Sequence, residues 1–440
     1  MVAKSNDPNI SHRSLDLLNS LRQRYNETKD LDLMPNTVTF NTALSAFAKG
    51  SNKNDVSNAE TILEQMKALH SQGYSTVKPN AFTFTNMISC YAHSNENGSA
   101  IRAEEILQHM QEIYEEHGDK SMMPTKASFG AVLNAWAREG NAYRAQAIVD
   151  HMETLQDVHR EMSANTVIYN TLINSWSKSK LKGSGKRAEE ILEKMQELYK
   201  NGNDEVKPSR ITYNSVISAH QTSGKDAYNF SKRILHQMED SEDQSIQPDV
   251  VTYTTFLNIV SKYNNHRKIE ISEQILEKMA RRNLRPNNFT YDAVLRVCLF
   301  TNAKDYQITR KALILAVKTL SAIQESPLII PTSYTYSLFF SILAKHSTGK
   351  EQEKLLHRTL NDCCKSGLLT DSILKQLKEN FRPRLIGEIL EFPIENISSS
   401  IKNLPPEWSL NSSNKLPSAS SQRRAVQSQH HTGRTRIKRR

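Results

Sequence analysis

An all-α fold, a right-handed superhelix (solenoid) of helix-turn-helix repeats, is what this sequence predicts, on three observations. First, the stretch Gln247 to Asn258 occurs in eight versions along the chain. In it Pro248 and Asp249 close a turn, and apolar residues at helical spacing follow. Self-similarity at a fixed period is the signature of a stacked array. Second, each version is followed by another helical pattern: a small residue, Ile or Leu three and four on, then Met seven on. Ala59/Ile62/Leu63/Met66 and Ala188/Ile191/Leu192/Met195 are examples. That spacing marks one face of a helix. Third, no β-alternation of useful length competes, and no run of ~20 apolar residues offers a membrane span.

Taken in order, residues 1–36 read as a partial repeat or cap. Leu15, Leu17, Leu18 and Leu21 give Ser14 to Tyr25 the pattern of a second repeat helix, with no first helix before it. Asp7 and Asp16 interrupt the acid-poor character a transit peptide needs. Either the array starts with half a repeat or the true N-terminus lies upstream, and the second is the expectation.

The array covers residues 37–380. Its repeats start at Thr37, Ala81, Lys126, Thr166, Arg210, Val250, Asn288 and Ser333, between 38 and 45 residues apart. Proline punctuates seven of the eight starts, with Ala164 at the exception. Proline suits the turn before a helix and not its interior. The first helix of each unit runs about thirteen residues. The small residue of the second lets the pair approach closely. Neither helix buries its stripe alone, so neighbouring hairpins must stack. Trp136 and Trp176 share the eleventh position and are expected in the core. Residues 381–410, with Pro383, Pro393, Pro405 and Pro406, read as a mixed segment. Residues 411–440 are Ser-, Gln- and Arg-rich with little to bury, and are expected to be disordered.

The formal charge of +10 invites a nucleic-acid reading, but eight bases and no acid fall in residues 411–440. The rest is near balance, so the argument must rest on where charges sit. Cys90, Cys298, Cys363 and Cys364 match neither metal-ligand nor disulfide spacing, which favours a reducing compartment. His430-His431 is a weak metal signal. The end from Arg434 to Arg440 suits an RNA-binding tail ahead of a nuclear signal or a solvated terminus. No nucleophile–base constellation, phosphate loop or paired carboxylate in metal spacing appears. The chain therefore reads as a binder and not an enzyme, with no cofactor and no metal.

Pro248 to Thr255 (Pro-Asp-Val-Val-Thr-Tyr-Thr-Thr), followed by the Ala-x-x-Ile-Leu-x-x-Met of the second helices, resembles the pentatricopeptide repeat. The resemblance covers roughly residues 10–370. Every unit here is longer than the family's own. From first position to small residue the count is 19 in the third repeat (Lys126 to Ala145) and 22 in four others. Three residues thus enter the turn between the helices. From Met to the next Pro it is 7 at Met279 to Pro286, but 13 at Met66 to Pro79 and at Met195 to Pro208. Those six lengthen the second helix or its exit loop and leave the first helix intact.

The resemblance implies binding of single-stranded RNA, one base per repeat, in RNA processing, stability or translation in an organelle, mitochondrion or plastid. Base reading falls to fifth and last residues of each repeat. The fifth residues are Asn41, Thr85, Gly130, Asn170, Asn214, Thr254, Asp292 and Ser337. The last are Asn80, Thr125, Asn165, Ser209, Asp249, Asn287 and Thr332. Asn or Thr near a helix start is also ordinary capping chemistry. The fifth residues, however, sit a turn beyond the cap, where Asn is a poor helix former.

The second residues, which clamp bases in the family, are Val38, Phe82, Ala127, Val167, Ile211, Val251, Phe289 and Tyr334. All are apolar or aromatic, and packing between hairpins is the other use for them. At the thirteenth position Lys49, Arg138, Lys178, Lys262 and Lys345 suit phosphate contacts, and equally a helix C-terminus. The family's pairing rules, carried over, read pyrimidine-purine-any-C-U-A. The C-U-A core rests on Asn170 with Ser209, Asn214 with Asp249, and Thr254 with Asn287. A protein-binding α-solenoid scaffold is the alternative.

Overall fold

The computed structural model describes residues 10–50, 54–94, 96–156, 159, 162–302, 305–391 and 404–412. Among them are nineteen α-helices and no strand, the expected all-α solenoid of helix-turn-helix repeats. Two compact units divide the chain, Met1–Pro248 and Asp249–Arg440.

The first unit opens with α1 (Ile10–Thr28), longer at both ends than the leucine pattern suggests. Leu18 is buried while Leu17 faces solvent. Five hairpins follow: α2 (Thr37–Phe47) with α3 (Asp55–Ser71), α4 (Ala81–His93) with α5 (Ser99–His117), and α6 (Lys126–Glu139) with α7 (Ala142–Gln156). Then come α8 (Thr166–Ser179) with α9 (Ser184–Lys200), and α10 (Arg210–Ala219) with α11 (Ala227–Glu239). First helices pack in series, α2 on α4, α4 on α6, α6 on α8 and α8 on α10. Each second helix up to α9 packs on its own first helix and on the next one. The small residues Ala59, Ala103, Ala145, Ala188 and Ser231 are fully buried, as are Met66, Met110, Met152, Met195 and Met238.

Local chemistry sets where the first helices begin. The residue before each has an extended backbone and a capping side chain, for example Asn36, Asn80 and Thr125. The third helical residue carries a hydroxyl in seven of eight cases, and the cap's own N–H donates to it. Asn80 N to Thr83 Oγ1 is 3.1 Å, and Ser209 N to Thr212 Oγ1 is 2.9 Å. Such a capping box stabilises a helix start by about 1 kcal/mol. The exception is α8, where Asn165 Oδ1 accepts from Val167 N and Ile168 N, both at 3.1 Å.

The six extra residues after Met66 and Met195 are not loose. They extend the second helix and then form 3₁₀ turns, Ser75–Val77 and Asp204–Val206, whose Val77 and Val206 are fully buried. Each turn is clipped to the start of its own repeat. Thr37 Oγ1 donates to Thr76 O (3.0 Å) and Lys78 O (2.9 Å); Thr166 Oγ1 donates to Glu205 O and Lys207 O, both at 2.9 Å. Successive exit turns are tied by Lys78–Asp119 (2.7 Å) and Lys207–Asp243 (2.8 Å). The lysine contacts, with help from Ser121 and Ser245, hold both carboxyls down to about 2.

One glycine in this unit is required by a close approach. Gly185 lies in the first turn of α9 against the fully buried His220. The His220 ring stacks on Phe230 with centroids 4.9 Å apart, and its Nδ1 lies 3.1 Å from Ser223 Oγ. Burial and then Arg233 hold the imidazole down to about 4, so it is neutral at pH 7. A Cβ on Gly185 would come within 2.4 Å of His220 Nδ1 and 2.5 Å of Ser223 Oγ. Gly→Ala in a helix ordinarily gains about 1 kcal/mol. Here overpacking reverses the sign, by roughly 1–3 kcal/mol. Thermal unfolding of Gly185→Ala is expected to show a lower melting temperature; a higher one would mean that His220 yields freely.

The second unit holds three hairpins: α12 (Val250–Lys262) with α13 (Lys268–Arg281), α14 (Asn288–Leu299) with α15 (Tyr306–Glu325), and α16 (Ser333–His346) with α17 (Gly349–Lys365). Two short helices end it, α18 (Asp371–Asn380) and α19 (Pro383–Leu390). Helix α18 starts 38 residues after Ser333 and packs on α16, where a next first helix would lie. Residues 404–412 return to the α17–α18 turn, with Leu369 N donating to Trp408 O at 2.9 Å and Asn411 N to Gly367 O at 2.8 Å. Of the tail expected to be disordered, residues 413–440 lie outside the described residues.

Candidate nucleic-acid interface

Residues two and five of a helix are three apart and so share a face; residue thirteen lies eleven beyond residue two, about three turns further along that face. The structure places the second-position side chains in solvent. Val38 is 71% exposed, Phe82 58%, Val167 68%, Ile211 61% and Tyr334 48%. Ala127 is exposed as well, while Val251 and Phe289 are half-buried. Packing between hairpins therefore does not account for the exposed set.

Within each unit the fifth residues form a partly sheltered polar row beside the apolar one. Asn41, Thr254 and Asp292 are buried; Thr85, Asn170, Asn214 and Ser337 are half-buried. Four of them find partners at the start of the next first helix. Asn41 Nδ2 donates to Asn80 Oδ1 at 3.3 Å, so a fifth and a last residue of one repeat touch directly. Thr85 Oγ1 lies 2.8 Å from Ser128 Oγ, and Thr254 Oγ1 lies 2.8 Å from Thr290 Oγ1. Thr335 Oγ1 donates to Asp292 Oδ1 at 2.9 Å. The amide oxygens of Asn41 and Asn170 are buried without a hydrogen-bond partner among the described residues. Leaving such an atom unpaired costs about 1–3 kcal/mol.

The last residues Asn80, Thr125, Asn165, Ser209, Asp249, Asn287 and Thr332 occupy the N-cap positions. For Asn80, Asp249 and Asn287 the side-chain oxygen accepts the third residue's backbone N–H at 2.9–3.1 Å. The Asn80 side chain thus serves both its own helix and the polar row. The last rung of the second unit differs. Ser337 Oγ donates to Gln376 Oε1 of α18 at 2.7 Å, so the protein itself occupies that position.

The row of third-position hydroxyls was not among the candidate site residues, although its signal is legible: Ser or Thr stands three after the cap in seven of eight repeats.

At the thirteenth position Lys49, Arg138, Lys178, Lys262 and Lys345 are all exposed. Lys178 and Lys262 lie in the last turns of α8 and α12 and carry no ion pair among the described residues. Lys345 instead donates to Leu299 O at 2.9 Å, at the C-terminus of the preceding first helix. Lys268 joins it there, bonding Phe300 O at 2.6 Å, and His346 Nε2 lies 3.0 Å from Cys298 O. Helix-end electrostatics thus explains Lys345, and leaves Lys178 and Lys262 facing solvent.

Burial pushes the Asp292 carboxyl up to about 6, against the opposing pull of Thr335 and Arg296. Among the described residues no three His, Cys, Asp or Glu side chains gather to hold a metal ion, and no helix is long and apolar enough to cross a membrane. The four cysteines are free and buried.

Three comparisons bear on this arrangement. A family model for the pentatricopeptide repeat domain matches residues 25–93, 155–221 and 233–299. A pentatricopeptide repeat-containing protein of Arabidopsis thaliana is 26% identical over 130 residues, 30% of this chain and 20% of that protein. A chloroplastic one from the same plant is 30% identical over 89 residues, 20% of this chain and 11% of that protein. Among solved structures, the chain is similar to the crystal structure of the pentatricopeptide repeat protein PPR10 in complex with an 18-nt psaJ RNA element. The TM-score is 0.56 at 18% identity, over 88% of this chain and 50% of that one. The chain thus spans half the length of that structure's chain and a fifth or less of the two curated relatives. At such identity the structural likeness speaks for the fold.

Proposed function

We propose, from the premise that the chain belongs to the pentatricopeptide repeat family, that it is a sequence-specific single-stranded RNA-binding protein. It reads one base per repeat and acts in RNA processing, stability or translation in an organelle. The observation that carries this reading is the row of solvent-facing apolar side chains, Val38, Phe82, Val167 and Ile211, set beside sheltered Asn and Thr side chains one helical turn on. Apolar faces on which bases stack, next to donors and acceptors for base edges, are what single-strand recognition needs. Lys178 supplies positive charge for the phosphates on the face of α8 that carries Val167, and Lys262 does so on the face of α12 that carries Val251.

Selection from a random RNA pool tests the proposal. The full chain is expected to enrich a C-U-A core. Asn170→Thr is expected to move the preference at the C position towards a purine, by about tenfold. Enrichment of no sequence at all would refute the proposal. An enriched sequence indifferent to Asn170→Thr would leave RNA binding standing and remove the pairing rules.

A further inference from the structure

The third-position hydroxyls do two jobs at once. Each closes the capping box of its own helix. Several also reach back to the fifth side chain of the preceding repeat, as Ser128 does to Thr85, Thr290 to Thr254 and Thr335 to Asp292. A fifth side chain is thus held from the next repeat, and holding one rotamer is what turns a polar side chain into a selective hydrogen-bond partner.

One junction lacks both halves of this contact. The third residue of α8 is Ile168, and the fifth residue it faces is Gly130. A Cβ on Gly130 would stand 3.3 Å from Ile168 Cδ1, and Ile168 is 3% exposed. The isoleucine methyl fills the space that a fifth side chain enters elsewhere. Glycine inside a helix is unfavourable in itself, so its place in the middle of α6 needs a reason. The clamping residue of this repeat is Ala127, the smallest of the eight second-position residues. Three departures coincide: no reading side chain, no hydroxyl to hold one, and little apolar surface to stack on.

We propose that the third-position hydroxyl, where it reaches the fifth side chain of the preceding repeat, is the positioning residue that sets that side chain for reading, and that the Gly130–Ile168 junction is a blank in the row, a repeat that passes a nucleotide without selecting its base. The inference rests on the RNA-binding reading above. It follows that selectivity at this repeat must be installed with two substitutions together. Gly130→Asn alone drives its new side chain against Ile168. Ile168→Thr alone opens space beside a glycine. The double variant Gly130→Asn/Ile168→Thr, with Asn165 already at the cap, reproduces the set Asn41, Asn80 and Thr83 found at the first junction.

The experiment is selection from a random RNA pool with the full chain and these three variants, alongside thermal unfolding. The wild type is expected to show no preference at the nucleotide between those assigned to Thr85 and Asn170. The double variant is expected to gain a pyrimidine preference there of about tenfold. Gly130→Asn alone is expected to gain none and to melt below both the wild type and the double variant. A wild-type preference at this nucleotide as strong as at its neighbours would overturn the inference and leave RNA binding standing. So would a full gain from Gly130→Asn alone. A wild type that binds no RNA would overturn the function and the inference together, and its lack of any enriched sequence distinguishes that case.

Discussion

Replacing Phe82 and Tyr334 by alanine together is expected to weaken single-stranded RNA binding by about a hundredfold and to leave the melting temperature nearly unchanged. Both rings are about half exposed or more, at 58% and 48%. Truncating such side chains removes little buried area, and surface changes of this kind usually stay within about 0.5 kcal/mol. A base stacked on an aromatic ring is worth about 1–3 kcal/mol, so two lost platforms amount to roughly two orders of magnitude or more in affinity. Titration of a labelled, selected RNA with both proteins, beside their melting curves, checks this. A fall in melting temperature that matches the loss of binding would return the rings to the packing of the array. Unchanged affinity would show that bases do not reach the second position.

Asp292→Asn is expected to stabilise the second unit at pH 8 and to gain little near pH 4. The Asp292 carboxyl stands at about 6 in the fold against an ordinary 3.8. Between those values the folded state keeps a proton that the unfolded chain has released. Stability contributed here is therefore present below about pH 4 and lost as pH rises through about 6. At neutral pH the loss is on the order of 3 kcal/mol, at about 1.4 kcal/mol for each unit of difference. Asparagine keeps an oxygen for the Thr335 hydroxyl, which now bonds Asp292 Oδ1 at 2.9 Å, and removes the charge. Melting curves of both proteins at pH 4.5 and 8 test it: an equal shift at the two values would assign the effect to something other than ionisation.

Much of the fold was legible because the starts of the first helices are written in local chemistry. A proline-led turn, a capping side chain and a hydroxyl three residues on punctuate the chain, and helices begin at Thr37, Ala81, Lys126, Thr166, Arg210, Val250, Asn288 and Ser333. Buried Ala59 and Met66, and their equivalents, follow from helical spacing alone. Helix α18 is capped by Thr370, whose hydroxyl accepts from Ile373 N at 3.1 Å, but it lacks the rest of that punctuation. No proline precedes Asp371, and Ile373 and Lys375 stand where a hydroxyl and a reading residue would. Only its packing on α16 places it in the series.

The candidate rows were legible as positions on the first helices but not in their partnerships. Capping and base reading draw on the same residue types, so Asn80 serving its own helix and touching Asn41 could not be separated by spacing. Lys345 shares a register with Lys178 and Lys262, but its ammonium goes to the carbonyl of Leu299, a contact between residues 46 apart in sequence. The plug of Ile168 against Gly130 is likewise a matter of distance, although each substitution is visible as a break in its own row.

The clips from Thr37 to Thr76 and Lys78, and from Thr166 to Glu205 and Lys207, join the beginning of a long repeat to its own end. Each such repeat is therefore stitched shut before the next one starts. A duplication or deletion with breakpoints in the proline-led turns carries both halves of the clip along. What it must rejoin is a capping box, and that joint has the same chemistry at seven of the eight repeats. Arrays built this way can grow or shrink by whole cassettes while folding survives. Unequal crossing-over, more than the slow gathering of point substitutions, is the route by which such a chain would change its length.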